Sequence, residues 1–287
     1  MPTTASASAS ISIDTEDNFA AMGTKQTTGG HVWDAALLLR RHLEEEPPSG
    51  AVLELGSGTG WLGMALACDF TSRLDRVILT EMIDGGAFRW LEHNVQRNRE
   101  AGLPLSACEL VPLDWSWLTA PGADAAADQG AAALEQLGTR WDYILGSDLV
   151  YNDAGAAAVP AVIAALLRRS DVVRAAADAD RPPTRVLYAH TLGRFEMLDL
   201  DFFDALRAEG LVWRVARDES ADAGPPVAAR RGAADGAVRE HVERAEAPGS
   251  ALREAAPEFD CPEFAFSGEL FPDQRLVVLE IARSSSK

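Results

Sequence analysis

The stretch Val52-Leu-Glu-Leu-Gly-Ser-Gly-Thr-Gly60, running on into Trp61-Leu-Gly-Met-Ala-Leu-Ala-Cys68, decides the fold. A short hydrophobic strand ends directly on a glycine-rich turn, and the turn opens a helix at Trp61. Glycine admits positive φ and lets a ligand approach the backbone. The helix start that follows offers unpaired N–H groups to anionic atoms such as a carboxylate. The unit reads as a nucleotide-binding turn, with a plain strand-to-helix connection as the alternative. Two glycine registers compete. Gly58, Gly60 and Gly63 spell GxGxxG, and Glu81 lies near the offset of about 20 residues at which a dinucleotide ribose is held. Gly56, Gly58 and Gly60 spell GxGxG. This second register fits better, because Gly56 already follows the strand end, Glu54 stands two residues before it, and a pyrophosphate-facing helix would begin late.

Outward from the turn, short apolar β-branched runs alternate with amphipathic stretches from about residue 33 onward, which predicts an α/β fold with helices on both faces of a parallel sheet. Strands are predicted at Val52–Leu55, Arg76–Thr80, Glu109–Leu113, Tyr143–Gly146, Val186–His190, Leu211–Ala216 and Leu276–Ile281. Helices are predicted at Trp33–Glu45, Trp61–Cys68, Gly86–Glu100, Ala156–Arg168 and Phe195–Glu209. Residues 1–28 read as a tail and lead-in, disordered at its Ser/Ala-rich start, and residues 29–287 as a single domain. Three stretches rich in Ala, Gly, Pro and Asp read as insertions without apolar periodicity: Thr119–Gly138, Ser170–Pro183 and Arg217–Pro257.

Acidic residues outnumber Lys and Arg by 44 to 26, a formal charge of −18 over 287 residues. Such a surface repels phosphate backbones, so stable nucleic-acid binding is not expected, and a basic protein surface or a lysine-bearing substrate fits better. Cys68, Cys108 and Cys261 are scattered and lack CxxC spacing, so no disulfide framework or zinc site is expected and a reducing, cytoplasmic location is, with the nucleus also compatible. The longest apolar run, Gly155–Leu167, is too short to span a membrane and contains Pro160. The histidines show no metal-ligand spacing. A monomer is expected.

The sequence ELGSGTG followed by Glu81 resembles motif I and the next acidic strand end of the seven-strand, S-adenosylmethionine-dependent methyltransferases. Three further stretches narrow the resemblance: Gly29-Gly-His-Val-Trp33-Asp-Ala-Ala, Leu113-Asp-Trp115, and Ile144-Leu-Gly-Ser-Asp148-Leu-Val-Tyr151. Together they are similar to family 16 of protein lysine methyltransferases, defined by a DxxY motif after the fourth strand, over residues 29 to 215. The resemblance implies a doubly wound, mostly parallel seven-stranded Rossmann-like sheet with an antiparallel last strand. It implies an enzyme that transfers methyl groups to a lysine of a protein substrate such as a chaperone, ATPase or translation factor. It also implies S-adenosylmethionine held by Trp33, Glu54, Gly56, Ser57, Gly58, Thr59, Gly60, Glu81, Trp115 and Ser147, with Glu81 accepting from the ribose hydroxyls.

Physically, strand carboxyl ends of such a sheet converge on one crevice. Trp115 there suits the adenine face, and Trp33 suits the methionine end, where an aromatic wall attracts a sulfonium cation. Core packing is the plainer role for either ring; Trp61, Trp90, Trp117, Trp141 and Trp213 are read as packing. Asp148 and Tyr151 are the expected catalytic pair. Asp148 binds and orients the incoming ammonium, and Tyr151 packs on the lysine stem. Their structural alternative is a helix N-cap and helix-face packing. His190 ends a strand facing the same crevice. A small-molecule N-methyltransferase and a non-catalytic cofactor-binding scaffold remain as alternatives. An adenine methyltransferase needs prolines where Leu149 and Val150 stand, and an arginine methyltransferase needs a pair of glutamates that SDLVYND does not offer.

Overall fold

The computed structural model describes residues 11–14, 30–119, 124–138, 140–177, 180–219 and 274–284. In chain order these form α1 (Asp34–Glu45), β1 (Gly50–Leu55), α2 (Trp61–Asp69), β2 (Leu74–Glu81), α3 (Ala87–Glu100), β3 (Cys108–Pro112), α4 (Ser116–Thr119) and α5 (Asp124–Leu137). The chain continues through β4 (Tyr143–Ser147), α6 (Asp153–Ala177), β5 (Arg185–Leu192), α7 (Glu196–Ala208), β6 (Leu211–Asp218) and β7 (Arg275–Arg283).

The seven strands make one sheet in the order β3-β2-β1-β4-β5-β7-β6. Strands β1 to β5 pair in parallel, and β7 runs antiparallel between β5 and β6. The period-two pattern of the strands sorts their side chains onto two faces. Leu53, Leu55, Ile144, Val186, Tyr188 and Leu279 bury one face against α6 and α7. Val52, Val77, Leu79, Leu145, Leu187 and Val278 bury the other against α1, α2 and α3. All seven predicted strands and all five predicted helices are present, and the doubly wound architecture is the expected one. Among the described residues no helix is long and apolar enough to cross a membrane.

The structure corrects several expectations about what lies between these elements. The stretch Thr119–Gly138, read as an insertion, contains α5, whose Ala133 and Leu137 are buried in the core and whose last carbonyl, at Leu137, accepts from Trp141 Nε1 at 3.1 Å. Alanine is the strongest helix former but carries little apolar signal, so an Ala-rich helix reads as low complexity. Most of Ser170–Pro183 is likewise no insertion: Ser170 to Ala177 continue α6, and Ser170 Oγ lies 2.5 Å from Thr184 Oγ1. Within the lead-in, Ile11–Asp14 is not a loose tail. Ser12 exchanges backbone hydrogen bonds with the Asn98 side chain at 2.9 and 2.8 Å, and the Asp14 carboxylate meets His93 and Arg97, which lower its pKa. Arg217 and Asp218 complete β6; the segment 220–257, the other residues of 1–28 and Cys261 lie outside the described residues. The acidic run at the end of α1 pairs through Glu46 with Arg185, where β5 begins, at the end of the sheet opposite the strand carboxyl ends.

Because Leu137 is fully buried, Leu137→Ala is expected to destabilise the protein by about 2–5 kcal/mol. Denaturant unfolding measures this; a change below about 0.5 kcal/mol would return α5 to the status of a detachable insertion.

Candidate active site

Strand order reverses between β1 and β4, so the carboxyl ends of these two strands part and open a crevice. A cavity of about 480 Å³ lies there, within the range of roughly 300–1,000 Å³ usual for small-ligand sites. Every predicted site residue except Gly60 lines it.

The floor is the turn after β1. Gly56, Gly58 and Gly60 have φ of 58°, 53° and 79°, a left-handed region that disfavours any side chain. The turn is stapled to β2: Ser57 N–H donates to the Thr80 carbonyl at 2.8 Å, and Thr80 Oγ1 donates to the Glu54 carbonyl at 2.7 Å. Gly60 faces away from the cavity, where an added Cβ would lie 2.5 Å from Leu91 of α3. The Glu81 carboxylate, at the end of β2, accepts from Gly58 N–H and from Met82 N–H, each at 2.9 Å. These two bonds leave further lone pairs for a hydroxyl-bearing ligand. Burial raises the Glu81 pKa, and the two amide donors work against that rise.

Glu54 is buried beneath the turn. Its Oε2 has no hydrogen-bond partner among the described residues, and burial pushes its carboxyl up to about 8, opposed by Ser57 and the Gly63 amide. An unpaired polar atom buried beneath the turn is costly. Thr59, Ser147, Asp114 and Asn152 add to the polar lining. Trp115 is half-buried on one wall, and Trp33, 38% exposed, stands on another immediately before α1. Trp61, read from sequence as packing, also lines the cavity, with the Arg40 guanidinium carbon 5.6 Å from its ring centre.

Asp148 is the one non-glycine residue with positive φ, 49°, among the described residues. Its carboxylate is not open to solvent. Thr191 N–H donates to Oδ1 at 2.9 Å, Thr191 Oγ1 to Oδ2 at 2.9 Å, and Arg194 Nη1 to Oδ2 at 3.0 Å, leaving the side chain 4% exposed. It does not cap α6; Asn152 does, its Oδ1 accepting from Gly155 N–H at 2.8 Å. Behind the motif, the buried Tyr188 Oη accepts from Leu149 N–H at 2.9 Å. Tyr151 is 43% exposed, before α6 begins, and borders both the cavity and an open groove lined by Arg194, Phe195 and Met197. His190 does not reach the crevice: it is 2% exposed, with Nε2 2.7 Å from Asp199 Oδ1. Thr191, Arg194 and Tyr188 were missed in sequence, because no local spacing ties residues of β5 and its following loop to a motif some forty positions earlier.

A doubly wound sheet with a glycine turn, an acidic strand end and aromatic walls at its switch point defines the class I methyltransferase architecture. The sequence profile of the lysine methyltransferase family matches residues 16–181, and the chain belongs to that family. It is similar to the protein N-terminal and lysine N-methyltransferase EFM7 of Cryptococcus neoformans var. neoformans serotype D, strains B-3501A and JEC21, at 27% identity over 205 residues. That match covers 67% of this chain and spans 62% of the length of those relatives. Solved structures similar to it include precorrin-6y C5,15-methyltransferase from Geobacter metallireducens GS-15, with 11% identity, 68% and 81% coverage of this chain and that one, and a TM-score of 0.41. Another is an S-adenosylmethionine-dependent methyltransferase from Geobacter sulfurreducens in complex with S-adenosyl-L-homocysteine, with 12% identity, 72% and 74% coverage, and a TM-score of 0.40.

The Glu54 carboxyl titrates near 4.5 when exposed and near 8 in the fold. Between these values the unfolded chain releases a proton that the folded protein keeps, so the stability present below about pH 4.5 is lost as pH rises, by at most about 1.4 kcal/mol per unit. Glu54→Gln is expected to flatten this slope and raise the melting temperature at pH 8–9, as followed by thermal melts across pH 5–9. Parallel pH profiles for the two proteins would remove Glu54 as their cause.

Proposed function

We propose that this chain is an S-adenosylmethionine-dependent methyltransferase that transfers a methyl group to a lysine side chain of another protein. The observation that carries the reading is convergence: the Glu81-clamped glycine turn and the Asp148-Leu-Val-Tyr151 segment border one cavity. The residues fit the cofactor. Glu81 would accept from ribose hydroxyls, Trp115 would cover the adenine, and the unpaired Glu54 oxygen offers an acceptor for a polar hydrogen beneath the turn. When bound, S-adenosylmethionine supplies a methyl carbon activated by a sulfonium.

Transfer is an in-line displacement, so the protein must hold a neutral amine about 3 Å from that carbon and opposite the sulfur. Tyr151 would guide the lysine stem from the groove into the cavity, and Trp33 would wall the cationic end. The acceptor nitrogen gives its proton to water before attack, since the Asp148 carboxylate is enclosed by Thr191 and Arg194 and is not free to act as a strong base. The open groove beyond Tyr151 favours a polypeptide over a small molecule, and the net charge of −18 favours a basic surface on a partner such as a chaperone, ATPase or translation factor. Because the name of the EFM7 relatives includes protein N-termini, an α-amino group is the second acceptor reading. A cytoplasmic site of action accords with the unpaired thiols of Cys68 and Cys108.

Incubation of a cell lysate with methyl-labelled S-adenosylmethionine, followed by mass spectrometry, is expected to place label on a lysine Nζ; label confined to small molecules would overturn the reading. Calorimetry is expected to show S-adenosylmethionine binding that Gly58→Arg abolishes by filling the turn. In single-turnover assays Asp148→Asn, which weakens the Thr191 and Arg194 bonds that hold Leu149 to Tyr151 across the crevice, is expected to slow transfer roughly ten- to hundredfold, the equivalent of ~1.5–3 kcal/mol, with cofactor affinity unchanged. A normal rate in folded Asp148→Asn would remove this segment from the acceptor site.

A further inference from the structure

Asp148 presents a chemical difficulty for methyl transfer. A carboxylate beside a lysine stabilises the ammonium form, whereas the nucleophile is the free amine, and a lysine in water already holds its proton up to a pKa near 10.4. The structure contains a counterweight. Arg194 Nη1 is 3.0 Å from Asp148 Oδ2, and the guanidinium carbon lies 5.1 Å from the Trp33 ring centre. Trp33 and Asp148 line the cavity and Arg194 lines the groove, so this cation stands where the two meet, beside Tyr151. Its place is fixed by more than its own bonds. Gly193, at φ 78°, donates its N–H to Asp199 Oδ2 at 2.8 Å, and Asp199 is held in turn by the buried His190.

We infer that Arg194 is a positioning residue that acts electrostatically. By cancelling the Asp148 charge and placing a guanidinium beside the acceptor, it lowers the pKa of the bound lysine so that the amine enters as the neutral nucleophile. The inference rests on the methyltransferase reading above. The step balances simply: the ammonium gives one proton to solvent water, and the nitrogen keeps the lone pair that attacks. A like charge within about 4–6 Å shifts an ionisable group by roughly one to three pH units.

Other titratable groups face the same place, with Glu81 and Asp114 across the cavity. Asp153 at the start of α6 and Glu196 in the first turn of α7 border the groove, His31 stands edge-on to Trp33 at 5.8 Å, and the His190–Asp199 pair with Tyr188 lies behind. All of them are common to the wild type and to an Arg194 variant, so a difference between the two reports Arg194.

The test is the pH dependence of single-turnover methylation, with the cofactor-loaded full chain in excess over lysate protein and label followed on the lysine identified above. Under these conditions the break in the profile belongs to the bound amine and not to free lysine. Arg194→Gln is expected to move the break upward by about one unit or more, with at least a roughly tenfold loss below the break and recovery above it. Arg194→Lys, which keeps the charge, is expected to restore the wild-type break. An unchanged break with a rate lowered equally at every pH makes Arg194 merely structural, and a downward shift reverses its sign; either overturns the inference. S-adenosyl-L-homocysteine affinity is measured in each variant to confirm an intact site, and Arg194→Ala replaces the Gln variant if that affinity is lost. Failure of the wild type to bind S-adenosyl-L-homocysteine, or to label any protein amine, defeats the methyltransferase reading itself and is distinct from both outcomes.

Discussion

One buried carboxylate, that of Asp148, ties together the parts of this protein that have to meet. It follows β4 in a left-handed conformation that a non-glycine residue adopts only when its surroundings hold it there. Thr191 supplies two donors from β5, and Arg194 supplies a third from the loop before α7. These bonds fix the path of Leu149, Val150 and Tyr151 across the crevice, with the Tyr188 hydroxyl receiving Leu149 N–H from beneath. A carboxylate so deeply enclosed is tolerated because each of its two oxygens has a partner; removing the partners would leave a charge that the interior cannot solvate.

The opposite wall follows the same logic with a different donor set. Glu81 reaches across from β2 and accepts the Gly58 amide, so the turn after β1 is held by a side chain as well as by its own glycines. The two acidic strand ends therefore differ in character. Glu81 is satisfied by backbone amides and keeps lone pairs toward the cavity; Asp148 is matched to a guanidinium and directs its capacity into the protein. Glu54, beneath the turn, is the exception to this pattern, with an oxygen that has no partner among the described residues and a carboxyl that burial holds protonated to about pH 8. A site built this way carries its polarity unevenly, concentrated under the turn and at the mouth, with aromatic surface between.

Much of this was legible in the sequence because it is local. The strand, three alternating glycines and helix of residues 52–68 obey short-range rules, and the strand ends at Glu81, Trp115 and Asp148 could be placed once the alternation of elements was recognised. What stayed hidden is what depends on tertiary partners. The Arg194–Asp148 contact joins residues in different elements, so no spacing announces it. His190 reads as a crevice residue because a strand end points that way, yet its ring turns into the core toward Asp199. Helix α5 went unseen for a compositional reason: its alanines favour helix strongly while contributing almost nothing to an amphipathic pattern, and its burial hangs on a few residues at its end. The four residues Ile11–Asp14 carry no periodicity at all, and only the side chains of Asn94 and Asn98 on α3 give them a place.

The position of β7 has a consequence for how the molecule is assembled. Among the described residues β6 has no neighbour in the sheet other than β7, and β7 pairs in turn with β5, its Ile281 opposite Val186. Strands β1 to β5 can form their parallel pairings from segments that follow one another closely, whereas the edge containing the fully buried Trp213 must wait for a strand far along the chain. Closing so long a connection costs entropy before any pairing offsets it. Folding should therefore proceed outward from the cofactor side, with the β5–β7–β6 edge zipping last, and its apolar strands are the surface most exposed to mispairing in the interval.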